Sequence, residues 1–227
     1  MSVFGEYRRE LDPGARNAVD VCLAIKPHER VALVADEASK EVAASLAAAL
    51  ERTGASGDHV LIERVTRRPM PEAPSQVLEA LERCDVGILC VQPQEGELRA
   101  RMAIVAAVER RQIRYAHMVG VTAEIMMQGM RADYRLVDRL STRLCERMRT
   151  ATSLRVKTPF GTSLEASFDP ELHWIKTSGL ISTRYWSNLP AGEVFTTPAS
   201  VDGVFTRSEV AVRIRSHSRV LRRSTSR

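Results

Sequence analysis

Four short apolar runs recur along the first half of the chain, separated by segments in which apolar residues return every three or four positions. Short runs of this kind are typical of buried strands, and the intervening periodicity is typical of amphipathic helices. Strands that alternate with helices through short loops favour a parallel sheet with right-handed crossovers. The sequence therefore predicts an α/β fold with strands at residues 30–36, 59–65, 85–91 and 113–119.

The helices between these strands are predicted from their apolar faces and their end signals. A helix over residues 39–52 stops before Gly54, and a helix over residues 75–83 begins at Ser75, which is suited to cap it. The next helix carries an apolar stripe at helical spacing, formed by Leu98, Met102, Val105 and Val108.

A long helix with two stripes is predicted after the fourth strand, with Asp133 as its N-cap. Its apolar residues return at helical spacing as far as residue 150: Val137, Leu140, Leu144 and Met148. A basic stripe beside them has one arginine every four residues: Arg131, Arg135, Arg139, Arg143 and Arg147. Such a stripe is compatible with a solvated helix face, and also with binding to phosphate or to the acidic surface of a partner.

The pattern changes near Ala151, where a second domain is predicted to begin. Residues 153–158 and 162–168 alternate with a period of two around a turn that contains Gly161, which predicts a β-hairpin. The sequence thus divides into an N-terminal α/β domain at 1–150, an incomplete β-containing second domain at 151–206 and a basic, disordered tail at 207–227.

The positive charge of the chain is concentrated in that tail. Residues 207–227 contain seven arginines and one acid, Glu209, so their net charge is +6. Because the whole chain has a net charge of +5, residues 1–206 carry about −1. A basic tail can bind nucleic acid or another anionic surface, but a solvated, disordered end is the prediction here. A shifted reading frame near Phe205 would also produce such an Arg/Ser-rich segment. Nucleic acid is not the expected partner.

Several classes of protein are excluded or disfavoured by what the sequence lacks. No run of 18 apolar residues exists, and the charged N-terminus has no signal-peptide core, so neither a membrane span nor export is expected. The cysteines form no Cys-x-x-Cys pair and fit buried thiols in a reducing cytoplasm; they are Cys22, Cys84, Cys90 and Cys145. The loop after Val34 has two acids and no glycine, which argues against NAD, FAD and P-loop chemistry.

The candidate site residue is Glu193, within the segment 188–198, Asn-Leu-Pro-Ala-Gly-Glu-Val-Phe-Thr-Thr-Pro. A carboxylate in such a loop can be a hard-metal ligand or a general base, but it can also simply accept hydrogen bonds from turn amides next to Gly192. The histidines lie in separate segments without the spacing of a zinc cluster, although His117, at a strand end, could face a cleft. Three aromatic residues precede the loop and could line a pocket or form the core of the second domain: Trp174, Tyr185 and Trp186.

The order of several motifs resembles the aminopeptidase T / aminopeptidase S family of metallopeptidases, which is leucyl aminopeptidase-like. These motifs are GMRADY at 129–134, VKTPFGTSLEASF at 156–168 and NLPAGEVFTTP at 188–198, and the start at 18–36 is also similar. The resemblance spans about residues 15–205. It implies a second domain that holds two divalent ions (Zn, Co or Mn), which activate a water for attack on a peptide substrate. It also implies that Glu193 is a metal ligand and that the protein forms a homodimer, as is common in the family.

The end of the chain departs from this family. The second glutamate, the His-x-Asp pairs and the tyrosine that the family carries downstream have no match in residues 207–227. Two ions need several anionic ligands, so one carboxylate is insufficient, and no residue can be assigned a catalytic role. The sequence therefore predicts a truncated aminopeptidase that is inactive as encoded. The alternatives are a relative of the Fe(II) 2,5-dihydroxypyridine dioxygenases, or a non-catalytic protein that binds an anionic partner through its tail or its arginine stripe.

Overall fold

The computed structural model describes residues 3–183, 186–207 and 210–217. Within those ranges the strands are β1 (Arg30–Ala35), β2 (Ser56–Leu61), β3 (Val86–Val91), β4 (Arg114–Val119), β5 (Ser153–Lys157), β6 (Ser163–Ser167), β7 (Ile175–Thr177), β8 (Ser187–Asn188), β9 (Glu193–Phe195), β10 (Ser200–Arg207) and β11 (Val210–His217). The α-helices are α1 (Asp12–Arg16), α2 (Lys40–Thr53), α3 (Ser75–Glu82), α4 (Leu98–Arg111), α5 (Ala123–Met127) and α6 (Tyr134–Met148).

The predicted α/β fold is confirmed, because five strands form a parallel sheet flanked by helices, in the order β2-β1-β3-β4-β8. β1 alternates between two cores: Val31, Leu33 and Ala35 pack into one, and Ala32 and Val34 pack into the other. A sheet that is covered on both faces needs apolar residues at every position of its central strands. This requirement explains why the strands appear in the sequence as unbroken apolar runs.

The helices agree with the sequence prediction except at one stripe. α2 ends at Gly54, whose φ of 75° is the left-handed conformation that favours glycine. Ser75 opens α3 without making a side-chain cap. Two of the four predicted residues of the α4 stripe, Val105 and Val108, are buried, whereas Leu98 and Met102 are 63% and 56% exposed. The buried side of α4 consists of Ala100, Ile104, Val105, Ala107 and Val108.

A four-stranded antiparallel sheet in the order β11-β10-β6-β5 follows, and β7 pairs with β9 in a separate two-stranded sheet. The predicted hairpin is confirmed, with Ser153 opposite Ser167 and Lys157 opposite Ser163. β10 then adds to the other side of β6 through Gly203, which lies opposite Leu164.

Part of the predicted tail, residues 210–217, is a strand in the structure, and the tail as a separate segment stays a prediction. This strand is β11, which runs antiparallel to β10 with Val212 opposite Phe205. Backbone pairing to a neighbouring strand supplies the hydrogen bonds that the composition of this segment does not reveal. The rest of the predicted tail, residues 208–209 and 218–227, lies outside the described residues.

Contacts divide the chain into two compact units, each containing two segments. The first unit consists of residues 1–138 and 177–192, and the second of residues 139–176 and 193–227. The predicted domain boundaries at 150 and 206 stay a prediction. Among the described residues, no helix is both long enough and apolar enough to cross a membrane.

Candidate functional site

Glu193 opens β9 and its side chain is exposed. Gly192 precedes it with a φ of 150°. Within the part of the chain that the structure describes, the Glu193 carboxylate accepts no hydrogen bond and makes no ion pair, so the alternative role as an acceptor for turn amides is not seen. Its role as a metal ligand stays a prediction.

The described side chains do not bring the donors of a metal centre together around Glu193. Among residues 3–183, 186–207 and 210–217, no group of three or more His, Cys, Asp or Glu side chains is placed to hold a metal ion. Two divalent ions require several anionic ligands to offset their charge. The side chains that the structure describes therefore do not fit the two-ion centre implied by the family resemblance, and no reaction step through a metal can be derived from them.

His117, on β4 in the sheet of the first unit, contacts the aromatic rings of Tyr115 and Trp186. Its Nδ1 lies 3.4 Å from the hydroxyl of Tyr115 on the same strand, β4. The ring of Trp186 lies 5.7 Å from the His117 ring and 6.5 Å from the Tyr115 ring. The indole N–H of Trp186 donates to Glu109 Oε1 on α4 at 3.0 Å, which ties the segment before β8 to that helix.

The electrostatics of this cluster keep His117 neutral at physiological pH. Burial, aided by the nearby Arg101 guanidinium, lowers the pKa of His117 to about 4. Burial also raises the pKa of Tyr115 far above its usual range. The cluster thus presents a neutral imidazole, a neutral phenol and a cation, with Trp186 as an apolar wall.

The aromatic residues singled out in the sequence take two different positions. Trp186 packs against Tyr115 and His117 in the first unit, whereas Trp174 packs edge-on against Phe168 in the second, with ring centroids 4.9 Å apart. Tyr185 lies outside the described residues. Of these two tryptophans, Trp186 belongs to the cluster around His117, and the half-buried Trp174 packs against Phe168 in the second unit.

A buried ion network occupies the end of the sheet where α/β proteins commonly bind ligands. That position is the crevice between β1 and β3, at which the strand order reverses. Asp36 follows β1, and it accepts hydrogen bonds from Arg68 and from the backbone N–H of Gln92. Arg68 also donates to both carboxylate oxygens of Glu97, at 2.7 and 2.6 Å.

This network changes the interpretation of the loop after β1. The sequence suggests that its acids repel phosphate, but Asp36 is only 1% exposed and is neutralised by Arg68. Burial alone would raise the pKa of Glu97, yet its hydrogen bonds from Arg68 and from the Met70 backbone N–H outweigh burial and lower that pKa. The Arg68 side chain therefore fills this crevice with a structural network.

The motif at 129–134 has a clear structural role in the first unit. Asn17 donates from its side-chain amide to the carbonyls of Met130 and Ala132, both at 2.8 Å. The hydroxyl of the buried Tyr134 donates to the Gly129 carbonyl at 3.2 Å. An open cleft of about 780 Å³ lies beside these residues, and its charged lining balances three arginines with three aspartates. They are Arg9, Arg16, Arg131, Asp12, Asp20 and Asp133.

Comparison with known proteins shows the fold of this chain and leaves its function open. No protein-family model and no curated protein matches the sequence. The structure is similar to 2,5-dihydroxypyridine dioxygenase from Pseudomonas putida KT2440, with a TM-score of 0.61 and 15% identity over 86% of this chain and 58% of that one. It is also similar to AmpT (aminopeptidase T) from Thermus thermophilus, with a TM-score of 0.54 and 21% identity over 86% of this chain and 64% of that one.

These likenesses are to parts of longer chains. This chain spans 58% of the dioxygenase and 64% of AmpT. Both kinds of protein that the sequence motifs suggested are thus found among its structural neighbours, and at these identities the likeness shows a shared fold only.

Among the residues of the ion network and of the His117 cluster that sequence interpretation missed are two arginines, Arg68 and Arg101. Both lie in ordinary charged stretches of the sequence. Nothing in the sequence indicates that Arg68 is buried between two carboxylates, or that the charge of Arg101 acts on His117. A usable signal did exist for His117, since this polar residue interrupts the apolar run at 115–119, in strand β4 of the parallel sheet.

Proposed function

We propose that the chain belongs to the metal-dependent aminopeptidases of the AmpT type, that Glu193 supplies one ligand for a divalent ion, and that the chain does not turn over peptides as encoded. The observation that carries the proposal is the exposed carboxylate of Glu193, uncommitted within the described residues, in the motif that most specifically resembles that family. Structural likeness to AmpT over 86% of this chain supports it.

A single carboxylate explains why binding and turnover should separate. Zinc, cobalt and manganese are held in catalytic sites by at least three protein ligands, and a lone carboxylate on a strand end gives weak, unselective binding. Peptides are the proposed substrate class of the ancestral activity. A homodimer and a cytoplasmic location are part of the same proposal, and sedimentation analysis of the purified chain tests the dimer.

The test compares Glu193→Gln with Glu171→Gln, a control that removes another exposed carboxylate of the second unit. Calorimetric titration with CoCl₂ should show weak binding that is reduced in Glu193→Gln and unchanged in the control. None of the three proteins should hydrolyse leucine p-nitroanilide. Equal cobalt binding by all three would remove Glu193 as a ligand, and cobalt-dependent hydrolysis lost only in Glu193→Gln would show that the site is complete.

The dioxygenase alternative is tested with the same proteins. Oxygen-dependent loss of 2,5-dihydroxypyridine in the presence of Fe(II), absent from Glu193→Gln, would favour it over the aminopeptidase. This alternative is supported by the structural likeness to the Pseudomonas putida dioxygenase, which has a TM-score of 0.61.

A second candidate function is the binding of an acidic partner through α6. In the second unit, Arg139, Arg143 and Arg147 are exposed and form no ion pair within the described residues. The exposed Leu140 and Leu144, at 54% and 49%, lie beside them on the helix surface. A basic stripe next to an apolar one suits a polypeptide that presents acidic and apolar side chains together.

Replacing the three arginines by glutamine tests this binding, with Arg64, Arg67 and Arg99 replaced together as a control of equal charge change. Poly-L-glutamate serves as the probe. Salt-sensitive binding by the parent and by the control, lost in the α6 variant, would support the function. Equal binding by the two variants would contradict it.

A further inference from the structure

The open cleft of about 780 Å³ in the first unit has no part in the proposed metal site, in the ion network or in the cluster around His117. Its walls come from two segments that are distant in sequence, residues 9–21 and residues 131–133. The second segment belongs to the motif at 129–134. Small-molecule sites commonly have volumes of about 300–1,000 Å³, so the cleft is large enough to hold a ligand.

The two walls of the cleft are held together by hydrogen bonds. The wall that contains Asn17 continues as a π-helix, in which the N–H of Leu23 donates to the carbonyl of Ala18 at 2.9 Å. Helical turns of this kind are rare and frequently lie at functional sites. The side-chain amide of Asn17 donates to the carbonyls of Met130 and Ala132, both at 2.8 Å. These bonds fix the shape of the cleft before any ligand enters it.

Three of the six charged side chains that line the cleft already have partners within the chain. Asp12 accepts a hydrogen bond from the hydroxyl of Tyr7 at 2.8 Å, and it lies 3.9 Å from the guanidinium of Arg16. Asp133 caps α6 by accepting from two backbone N–H groups of its first turn, both at 3.0 Å. These groups shape the walls of the cleft.

The other three charged side chains are Arg9, Asp20 and Arg131, and all three are exposed in the cleft. None of them makes a hydrogen bond or an ion pair with a side chain that the structure describes. A simple anion that enters the cleft meets aspartates as well as arginines. A molecule with a carboxylate and an ammonium on separate atoms offsets charges of both signs, because guanidinium groups pair with carboxylates and aspartates accept from ammonium groups.

We propose that this cleft binds a short peptide of two or three residues through its free termini. Arg9 and Arg131 hold the terminal carboxylate, and Asp20 accepts hydrogen bonds from the terminal ammonium. A short peptide separates these two groups and fills a cleft of this volume better than a single amino acid does. The cleft lies wholly within the first unit and contains no residue of the proposed metal site, so the inference does not rest on the proposed function.

Calorimetric titration of the metal-free protein with trialanine tests the inference, and two blocked peptides test the role of each terminus. N-acetyl-trialanine has no ammonium, and trialanine amide has no carboxylate. The parent should bind trialanine saturably and should bind each blocked peptide about fivefold more weakly. Free alanine and inorganic phosphate should also bind more weakly than trialanine.

Two variants connect each terminus to a side chain. Arg131→Gln should weaken the binding of trialanine about fivefold and leave the binding of trialanine amide unchanged, because the amide has no carboxylate to lose. Asp20→Asn should weaken the binding of trialanine and leave the binding of N-acetyl-trialanine unchanged. Arg64→Gln and Glu72→Gln remove exposed charges of the first unit outside the cleft, and they should bind like the parent. Glu193→Gln should also bind like the parent.

Several results would overturn the inference. They are the absence of saturable trialanine binding by the parent, equal binding of trialanine and its blocked forms, and phosphate or alanine binding at least as tight as trialanine binding. Circular dichroism shows whether each variant is folded. A folded Arg131→Gln or Asp20→Asn that weakens all three peptides alike would show an altered cleft rather than a lost contact, and would also contradict the assigned roles.

Discussion

The two units use their sheets in opposite ways. In the first, all six residues of β3 are buried, because helices cover both faces of the parallel sheet. In the second, four of the five residues of β5 are exposed, and Leu154, Phe160 and Phe205 show 41%, 85% and 45% of their surface. An unbroken apolar strand needs two covering layers, whereas an alternating strand needs one. The antiparallel sheet has apolar residues that the described chain leaves exposed.

The ion pairs of the two units also differ in burial, with a buried network in the first unit and an exposed pair in the second. The first unit buries charges, with Arg68 between Asp36 and Glu97 in a site closed to solvent. The ion pair across the hairpin of the second unit, Arg155 with Glu165, is 67% and 60% exposed. Exposed pairs of this type contribute about 0–1 kcal/mol, whereas removing one partner of a buried pair costs roughly 3–5 kcal/mol. Substitutions that remove a charge should therefore have unequal effects in the two units.

The largest effect is expected at Arg68. Arg68→Met leaves the buried carboxylates of Asp36 and Glu97 without their cation, so the free energy of unfolding of the first unit should fall by roughly 3–5 kcal/mol. Urea unfolding followed by circular dichroism measures it. The control is Arg67→Met, an exposed neighbour, which should change stability by less than about 0.5 kcal/mol. Equal effects of the two substitutions would mean that the network contributes nothing.

The parts of the fold that sequence could predict are those set by apolar periodicity. β1, β3 and β4 were found because sheet burial imposes a run, and Asp133 was found as the N-cap because its carboxylate accepts from the backbone N–H groups of Arg135 and Leu136 at 3.0 Å. On α4 the prediction is right for Val105 and Val108 and wrong for Leu98 and Met102, which are exposed, because periodicity alone does not fix which of two neighbouring stripes faces the sheet.

The site was less predictable than the fold for a physical reason. A metal ligand or a buried ion pair depends on which distant segments meet, and no local pattern records that meeting. Arg68 and Glu97 are 29 residues apart in sequence, yet they share two hydrogen bonds. Strand β11 was missed in a similar way, because its pairing with β10 compensates for a composition that suggests disorder.

The second-largest effect concerns His117 and pH. Because the pKa of His117 falls from 6.5 to about 4 in the folded state, the unfolded chain binds the proton first as pH decreases. Above pH 6.5 the imidazole is neutral in the folded and the unfolded chain, so it does not change the free energy of unfolding. That free energy decreases as pH falls from about 6.5 to 4. The loss from this half-buried ring is at most about 3 kcal/mol.

Urea unfolding at pH 7.5 and pH 4.5 isolates this contribution. The decrease in stability between the two values should be smaller in His117→Gln than in the parent, because the variant has no imidazole to titrate. His28→Gln removes an exposed histidine and should keep the full decrease. An unchanged decrease in His117→Gln would contradict the lowered pKa.

A third effect tests a close approach in the second unit. Gly203 has a φ of 141°, and a Cβ at that position would lie 2.1 Å from the Ser163 carbonyl oxygen of β6. Gly203→Ala should therefore separate β10 from β6 at a cost of about 1–3 kcal/mol. Amide hydrogen exchange should become faster in β6 and β10 and remain unchanged in β1 and β3.

Val204→Ala serves as the control for this substitution, because it changes the adjacent residue of β10 without adding an atom at the close approach. The amides of β6 and β10 should exchange more slowly in Val204→Ala than in Gly203→Ala. If the two variants exchange alike, the contact between Gly203 and Ser163 does not constrain the sheet.

The smallest effect on stability is expected at Phe160, which lies in the turn of the β5–β6 hairpin. This side chain is 85% exposed, so Phe160→Ser removes little buried surface and should change the free energy of unfolding by less than about 0.5 kcal/mol. It lines an apolar groove of about 410 Å³ with Val156, Leu164 and Phe205. Exposed apolar patches favour association, so light scattering should show less self-association in Phe160→Ser, and unchanged scattering would mean that this groove does not drive it.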